Sequence, residues 1–152
     1  MKTIIFDSNI HNWRQYESEF DSLILNKQKL LFLIETEDNI KFGGFISSKI
    51  DKKDEHISDE NAFIFTFKDN KPMKFDIKKD EKDKAFALCD KSDVGLFAIG
   101  RWDILIYKQN RKSSVYQEEK SSFDYQGIKK ALIGKTGYKC FSPKRIMVFQ
   151  MK

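Results

Sequence analysis

The chain has few of the residues from which disulfide frameworks and metal sites are built. Its 152 residues include 2 cysteines and 2 histidines. Cys89 and Cys140 form no CxxC motif and lie near no histidine-rich tract, so neither a disulfide framework nor a zinc site is indicated. We therefore expect two buried, reduced thiols and no metal or other cofactor. A single disulfide or a redox-sensing pair stays open as an alternative.

Long apolar runs are also missing from the sequence. The longest comparable run, Leu30 to Ile34, is far shorter than the roughly 18 residues that a transmembrane helix needs. The first residues do not resemble a signal peptide, because Asp7 interrupts them before an apolar core develops. The sequence therefore predicts a soluble, cytoplasmic protein without a transmembrane segment, and we expect a monomer.

Aromatic residues are abundant, with 14 Phe, 5 Tyr and 2 Trp. Burial of each such side chain stabilises a fold by roughly 1.5 to 3 kcal/mol, so the chain can build a substantial core. Its length is that of one ordinary domain. We predict a single domain over residues 1–152.

One segment has the apolar spacing of an amphipathic helix. Its apolar residues recur at intervals of three and four and share one helical face: Trp13, Tyr16, Phe20 and Leu23. Asn12 and Gln15 form the side-chain pair expected at a helix start. The pattern predicts a helix that packs on a sheet.

Alternation of apolar and polar residues dominates elsewhere and predicts half-buried strands. Two hairpins are expected, the first from residues 29–35 and 40–47 and the second from 62–67 and 73–77. In the second hairpin we expect Phe63, Phe65 and Phe67 to lie on one face and to belong to the core. Further strands are predicted at 85–89, 96–99, 103–107 and 145–150, whereas residues 108–142 are polar and irregular.

About eight short strands and one clear helix favour a mainly β (α+β) fold. We predict a two-sheet antiparallel β-sandwich flanked by one clear helix and short peripheral helices. Gly43 and Gly44 lie inside a strand pattern, so we expect a bulge or close strand packing there and not a phosphate-binding loop.

Positive charge is concentrated in the second half of the chain. Residues 1–76 hold 11 basic and 14 acidic residues, whereas 77–152 hold 17 and 9, so the halves carry −3 and +8. Six basic residues near the C terminus have no acidic residue among them: Lys129, Lys130, Lys135, Lys139, Lys144 and Arg145. They are the candidate partner-binding residues, and the alternative is a solvated surface.

Candidate catalytic groups are sparse. Asp7, Asp59 and Asp103 each flank an apolar strand and would form an acidic site if they converged, but aspartates in such places more often close turns. His11 and His56 lack ligand-like spacing, and we expect both at the surface or in turns. No catalytic, cofactor-binding or metal residue is assigned.

Two motifs occur in a specific order, Phe42-Gly-Gly-Phe45 and, about twenty residues later, Ala62-Phe-Ile-Phe65. Further matching segments are 4–8, 97–100, 103–107 and 125–127. Together these segments resemble the TLDc family, the domain of oxidation-resistance proteins and of several regulators of the vacuolar proton-pumping ATPase. The resemblance implies a two-sheet β-sandwich flanked by helices and a role in protection against oxidative stress. For some members it also implies direct binding to the pump, and no accepted catalytic residues come with it.

We therefore expect a non-enzymatic protein-interaction module whose candidate partners are subunits of the vacuolar ATPase. One alternative is a hydrolase or redox enzyme that uses the strand-end carboxylates or the cysteines. Another is binding of nucleic acid or of an anionic membrane through the basic C-terminal half. Nucleic acid is disfavoured because the aromatic residues and the lysines fall in different segments.

Overall fold

A computed structural model describes residues 2–67, 70–115, 121–128, 131–132 and 139–152. Two six-stranded antiparallel sheets are formed by the described residues, which confirms the predicted fold class. The first sheet has, in spatial order, β1 (Lys2–Asp7), β12 (Pro143–Met151), β2 (Leu30–Thr36), β3 (Lys41–Ile46), β5 (Phe63–Thr66) and β6 (Met73–Asp76). The second sheet has β11 (Lys139–Phe141), β10 (Ser113–Val115), β9 (Ile104–Tyr107), β8 (Gly95–Ile99), β7 (Phe86–Leu88) and β4 (His56–Ile57).

Aromatic rings from the two sheets meet in one core. Phe32 of the first sheet lies 4.9 Å from Phe86 and 5.0 Å from Phe97 of the second sheet, measured between ring centroids. Phe20 stacks on Phe97 at 5.2 Å. All four rings are fully buried. Burial of these large rings at close packing gives the sandwich much of its stabilisation.

Gly43 and Gly44 allow neighbouring groups to approach both faces of β3 closely. A Cβ atom added at Gly44 would lie 2.9 Å from Cδ1 of Ile99 in the second sheet. A Cβ atom added at Gly43 would collide with the carbonyl of Phe32 and lie 2.9 Å from Cζ of Phe65. The register between β2 and β3 shows no shift, so the pair permits close approach and forms no bulge.

The predicted helix is much shorter than its apolar spacing suggests. Helix α1 spans Phe20–Ile24, and the preceding residues form turns in which Tyr16 has φ of 70°. The Asn12 side chain accepts a hydrogen bond from the Arg14 amide at 2.9 Å, and the Glu19 carboxylate accepts one from the Asn12 amide. Such local side-chain bonds offer the backbone an alternative to helix, which is why the helix begins seven residues later than predicted.

The prediction that Phe63, Phe65 and Phe67 belong to the core is wrong. Ile64 is fully buried and Thr66 nearly so, whereas Phe63 and Phe65 are half-buried and Phe67 is 45% exposed. Alternation with period two fixes which residues share a face but not which face points inward. The phenylalanines therefore lie on the face of the first sheet that is turned away from the second sheet.

The two predicted hairpins are confirmed, as β2 with β3 and β5 with β6. Four strands were not predicted: β1, β4, β10 and β11. Two of them, β10 and β11, lie in the segment expected to be irregular. Besides α1, a 3₁₀ helix spans Lys79–Lys84. Within the described ranges, no helix combines the length and the apolar character that crossing a membrane requires.

Candidate interaction surface

A polar cleft of about 500 Å³ opens where turns from both sheets meet, and we call it the basic cleft. Its walls come from the turn after β1, the end of β2, the β9–β10 turn and the start of β12. Trp13, which is 8% exposed, contributes an apolar side chain. The volume lies in the range of ligand-binding clefts.

The charges that line the basic cleft are unbalanced. Among the described residues of the lining, Arg111, Lys112 and Lys144 contribute three cations and Glu37 contributes one acidic group. Arg111 and Lys112 are exposed and form no ion pair within the described part of the chain. Lys144 lies 3.8 Å from Glu35 through an exposed ion pair, which contributes little to stability. The cleft therefore offers cations to an acidic group of a partner.

Only some of the six predicted basic residues lie in the part of the chain that the structure describes. Lys129, Lys130 and Lys135 lie outside the described residues, and for Lys139 only the backbone, in β11, is described. Lys144 lines the basic cleft. Arg145 instead holds β12 to β1, because its guanidinium donates to both carboxylate oxygens of Asp7, at 3.1 and 2.6 Å.

The three strand-end aspartates do not converge on one site. Asp7 pairs with Arg145, and this hydrogen bond lowers the pKa of Asp7. Asp59 accepts from the hydroxyl of Ser47 at 2.7 Å and from the amide of Asn61 at 3.0 Å. Asp7 also accepts from the Asn9 amide at 3.0 Å, so each of these carboxylates closes a turn of its own, as aspartates commonly do.

Asp103 is fully buried and organises the segment after β10. Its carboxylate accepts hydrogen bonds from the Ser122 amide at 2.9 Å, the Phe123 amide at 3.3 Å and the Tyr125 hydroxyl at 2.9 Å. Burial raises the pKa of Asp103 to about 6, although these donors favour the charged form. The group acts as an internal anchor and faces no described cleft.

The two cysteines lie far apart in the second sheet. Cys89 follows β7 and Cys140 lies in β11, which is four strand positions away. At about 4.8 Å per strand this is roughly 19 Å, too far for a disulfide. Burial raises the pKa of Cys89 to about 11, which makes its thiol a poor nucleophile. Cys140 is exposed and Cys89 is half-buried, so the expectation of two buried thiols is wrong for Cys140 and only partly met by Cys89.

The two histidines lie in different environments, one in a turn and one in a strand. His11 lies in the turn after β1, where its Nδ1 accepts from the Asp7 amide at 3.0 Å, and its ring stacks on Phe6. His56 is half-buried in β4, and burial lowers its pKa. Sequence reasoning placed both at the surface or in turns, which is confirmed for His11 and wrong for His56.

Lys108 is a buried cation that sequence reasoning missed. It is 1% exposed, and its ammonium donates to the backbone carbonyls of Asp90, Asp93 and Gly95 at 2.8, 2.6 and 2.6 Å. Burial lowers its pKa. With three donors satisfied by three acceptors, Lys108 fixes the loop before β8 and is unsuited to binding a partner.

The outer face of the first sheet, the face turned away from the second sheet, is largely apolar. One row of directly paired residues crosses five strands: Ile4, Phe149, Leu31, Phe45 and Phe63. A second row runs beside it: Met147, Leu33, Gly43 and Phe65. Ile4 is 51% exposed and Leu31, Phe45 and Phe63 are half-buried, whereas Phe149 is only 8% exposed. An apolar band that reaches the surface in this way is a candidate contact with another molecule.

Lysines lie over the rings of this outer face. The Lys2 ammonium is 5.0 Å from the centroid of Phe149, and that of Lys74 is 4.6 Å from the centroid of Phe63. Both distances are within cation–π range. Sequence reasoning separated the aromatic residues from the lysines because each strand was considered alone, and it missed their meeting across strands.

A pocket of about 140 Å³ lies in the outer face beside the apolar band. Leu33 and Met147 supply its apolar walls, and Glu35, Lys41 and Arg145 surround them. The Lys41 ammonium lies 3.6 Å from Glu35. The pocket combines an apolar lining with a charged rim, the pattern of a site for one anchoring side chain.

Comparison with known proteins identifies the family. The TLDc domain matches residues 3–150, which is nearly the whole chain. The chain matches no curated protein. Most of the segments that carried the resemblance lie in strands, with Phe42 to Phe45 in β3 and Phe63 to Phe65 in β5 of the first sheet and Phe97 to Ile99 in β8 of the second sheet, whereas 125–127 form a turn. The resemblance seen in the sequence is therefore confirmed, and the chain belongs to the TLDc domain family.

Proposed function

We propose that this chain is a non-enzymatic protein-interaction module and that the basic cleft receives an acidic part of a partner protein. The observation that carries the proposal is the placement of Arg111, Lys112 and Lys144 around one cleft whose described lining holds one acidic residue, Glu37. A surface of one charge sign accelerates and orients association with a surface of the opposite sign.

Family membership supports a more specific form of the proposal. Members of the TLDc family include oxidation-resistance proteins and regulators of the vacuolar proton-pumping ATPase. We therefore propose a role in protection against oxidative stress, exercised in the cytoplasm, with subunits of that ATPase as the first partners to test. The charged walls of the basic cleft are suited to an acidic protein face.

Affinity capture from cell extract, with the purified chain as bait, tests this proposal. The variant Arg111→Glu/Lys112→Glu reverses two cations that form no ion pair in the described structure, so it leaves internal pairs intact. We expect it to reduce recovery of a defined partner at least ten-fold. Lys52→Glu is the matched control, because Lys52 is exposed and lies outside the cleft.

Two further arms complete the capture experiment. Lys129→Glu/Lys130→Glu tests the basic run predicted from the sequence, and we expect it to weaken recovery as well. Immunodetection of proton-pump subunits tests the identity of the partner. Equal recovery by the wild-type chain and by Arg111→Glu/Lys112→Glu would refute the basic cleft as a binding surface.

A further inference from the structure

We infer that the outer face of the first sheet binds an amphipathic α-helix of a partner protein, with acidic residues along both sides of the helix's apolar stripe. This inference rests on the proposed function in that it needs a protein partner. It uses a different surface from the basic cleft and assigns the chemistry of the segment that occupies it.

The size of the apolar band fits a helix. Its longer row crosses five strands from Ile4 in β1 to Phe63 in β5. Four strand spacings of about 4.8 Å make it roughly 19 Å long. A helix of about 13 residues has that length, and its apolar stripe recurs every three to four residues. Recognition of such a helix by an apolar surface is a common binding mode.

The charges around the band favour acidic flanks. Lys2 and Lys29 are exposed at the open end of the sheet, where Lys2 pairs with Met151 and the Lys29 carbonyl accepts from the Met151 amide. Lys74 lies beside Phe65 at the β6 end of the band. Lys41 lies beside Glu35, along the side of the band opposite to Lys2.

Among the described residues, the acidic groups of the outer face already have cationic partners: Asp7 pairs with Arg145 at 2.6 Å, Glu35 with Lys41 at 3.6 Å and Asp76 with Lys74 at 3.4 Å. Lys2, by contrast, forms no ion pair within the described residues. Carboxylates on the incoming helix would therefore meet cations on both sides of the band, and lysines there would meet repulsion.

The small pocket between Leu33 and Met147 gives the helix an anchor. It lies in the second apolar row and is bordered by Lys41 and Arg145. A leucine from the helix can enter the apolar part while a neighbouring glutamate contacts the border cations. Buried anchors of this kind carry most of the free energy of protein association.

Nucleic acid fits the outer face less well. The ring of Phe63 already stacks on Phe45 at 5.3 Å between centroids and lies under Lys74. Phe65 crosses the backbone of Gly43 and contacts Phe67 edge-on at 5.7 Å. Bases need ring faces that are free for stacking. An apolar helix stripe packs against ring edges as well as faces, so it does not need a free ring face.

Two synthetic helical peptides test the inference directly. Both have 14 residues and the same leucine stripe, and one carries glutamates beside the stripe where the other carries lysines. Fluorescence anisotropy measures the binding of each to the full chain. We expect the glutamate peptide to bind at least ten-fold more tightly, and Lys2→Glu/Lys74→Glu to abolish or reverse that preference.

Substitution of exposed residues locates the binding surface without disturbing the core. Ile4 and Phe67 are 51% and 45% exposed on the outer face, so Ile4→Glu/Phe67→Glu should fold and should weaken binding of the glutamate peptide at least ten-fold. Ile10→Glu is the matched control, because Ile10 is 77% exposed on a turn away from this face. Circular dichroism and thermal unfolding verify that each variant is folded.

The inference is overturned if the glutamate peptide does not bind, if both peptides bind equally, or if Ile4→Glu/Phe67→Glu binds like the wild-type chain. Sedimentation that shows dimers lost in that variant would assign the face to a second copy. Face-dependent binding of phosphatidylserine vesicles or oligothymidylate without peptide binding would assign it to a membrane or to nucleic acid. Arg111→Glu/Lys112→Glu should bind the peptide normally, so failure of the basic cleft and failure of this inference are separable.

Discussion

Single residues decide how closely the layers of this protein approach one another. Gly43 and Gly44 are neighbours in β3, but one faces the outer surface and the other faces the core. Close packing at this pair was predictable, because a glycine inside a strand often marks a close approach. The neighbour of each glycine was not predictable, since it depends on the facing sheet for one glycine and on an aromatic ring of the outer face for the other.

Alanine at these two positions should have unequal costs. A Cβ atom at Gly44 meets the flexible end of Ile99 at 2.9 Å and the Phe63 carbonyl oxygen at 3.2 Å, so we expect Gly44→Ala to destabilise by about 1 to 3 kcal/mol. A Cβ atom at Gly43 collides with the Phe32 carbonyl, which belongs to the paired backbone and has little freedom to move.

Urea unfolding monitored by circular dichroism measures both free energies. We expect Gly43→Ala to be the more destabilising substitution, to the point of disrupting the β2–β3 pairing. Gly127→Ala serves as a control for backbone strain without a steric clash, because its φ is 76° and no atom lies within 4 Å of the new methyl group. A larger loss for Gly44→Ala than for Gly43→Ala would contradict the account of this pair.

Among the elements, the segment 121–125 depends most on one buried group. Asp103 connects the start of β9 to this segment through three hydrogen bonds. The sequence placed Asp103 beside a strand and favoured a structural role for it, a turn closed through nearby backbone amides. Its partners were not, because they lie about 20 residues away in a segment predicted to be irregular.

This anchor gives folding stability a specific dependence on pH. The pKa of Asp103 is about 6 in the folded protein and 3.8 in its ordinary state. The folded state therefore binds the proton more tightly than the unfolded state. The resulting stabilisation is fully present below pH 3.8 and is lost as the pH rises through about 6.

Urea unfolding of the wild-type chain and of Asp103→Asn at pH 7.5 and pH 5 isolates this effect. Relative to the variant, the wild-type chain should gain about 1 kcal/mol of unfolding free energy on acidification over this range. Asp124→Asn, at an exposed carboxylate in the same segment, is the control. If the difference between wild type and Asp103→Asn does not change with pH, the burial of the charged form has no such consequence.

Helix α1 shows why element boundaries were harder to foresee than element types. The apolar spacing correctly marked Phe20 as a core residue, and the ring is fully buried. It also included Tyr16, which is 68% exposed and has a positive φ. Hydrogen bonds made by the Asn12 and Glu19 side chains end the helical pattern, and periodicity does not report them.

For the whole molecule, the sequence was sufficient to predict the two-sheet architecture and the family but not the outer face. Alternation in β5 groups Phe63 with Phe65 whichever side they face. The face that points inward is set by the pairing of Ile64 with Gly44 and Phe75, because the side chains of Ile64 and Phe75 enter the core. The apolar band exists only when residues from five strands are brought side by side, which no single segment reveals.

The basic cleft shows the same limit of prediction from single segments of the sequence. Charge asymmetry predicted a basic C-terminal half, and Lys144 does line the basic cleft. Two of its companions there, Arg111 and Lys112, come from the β9–β10 turn and had not been singled out. The cleft forms because turns from both sheets meet, and that meeting is a property of the sandwich.

Hydrogen–deuterium exchange of the chain with and without its captured partner tests the central claim most directly. The account predicts slower exchange on binding in the turn 109–112 and in β1, β12, β2, β3 and β5. Strands β7 and β8 in the second sheet should be unchanged. Protection confined to β7 and β8 would contradict the assignment of the basic cleft and the outer face as the surfaces through which this protein acts.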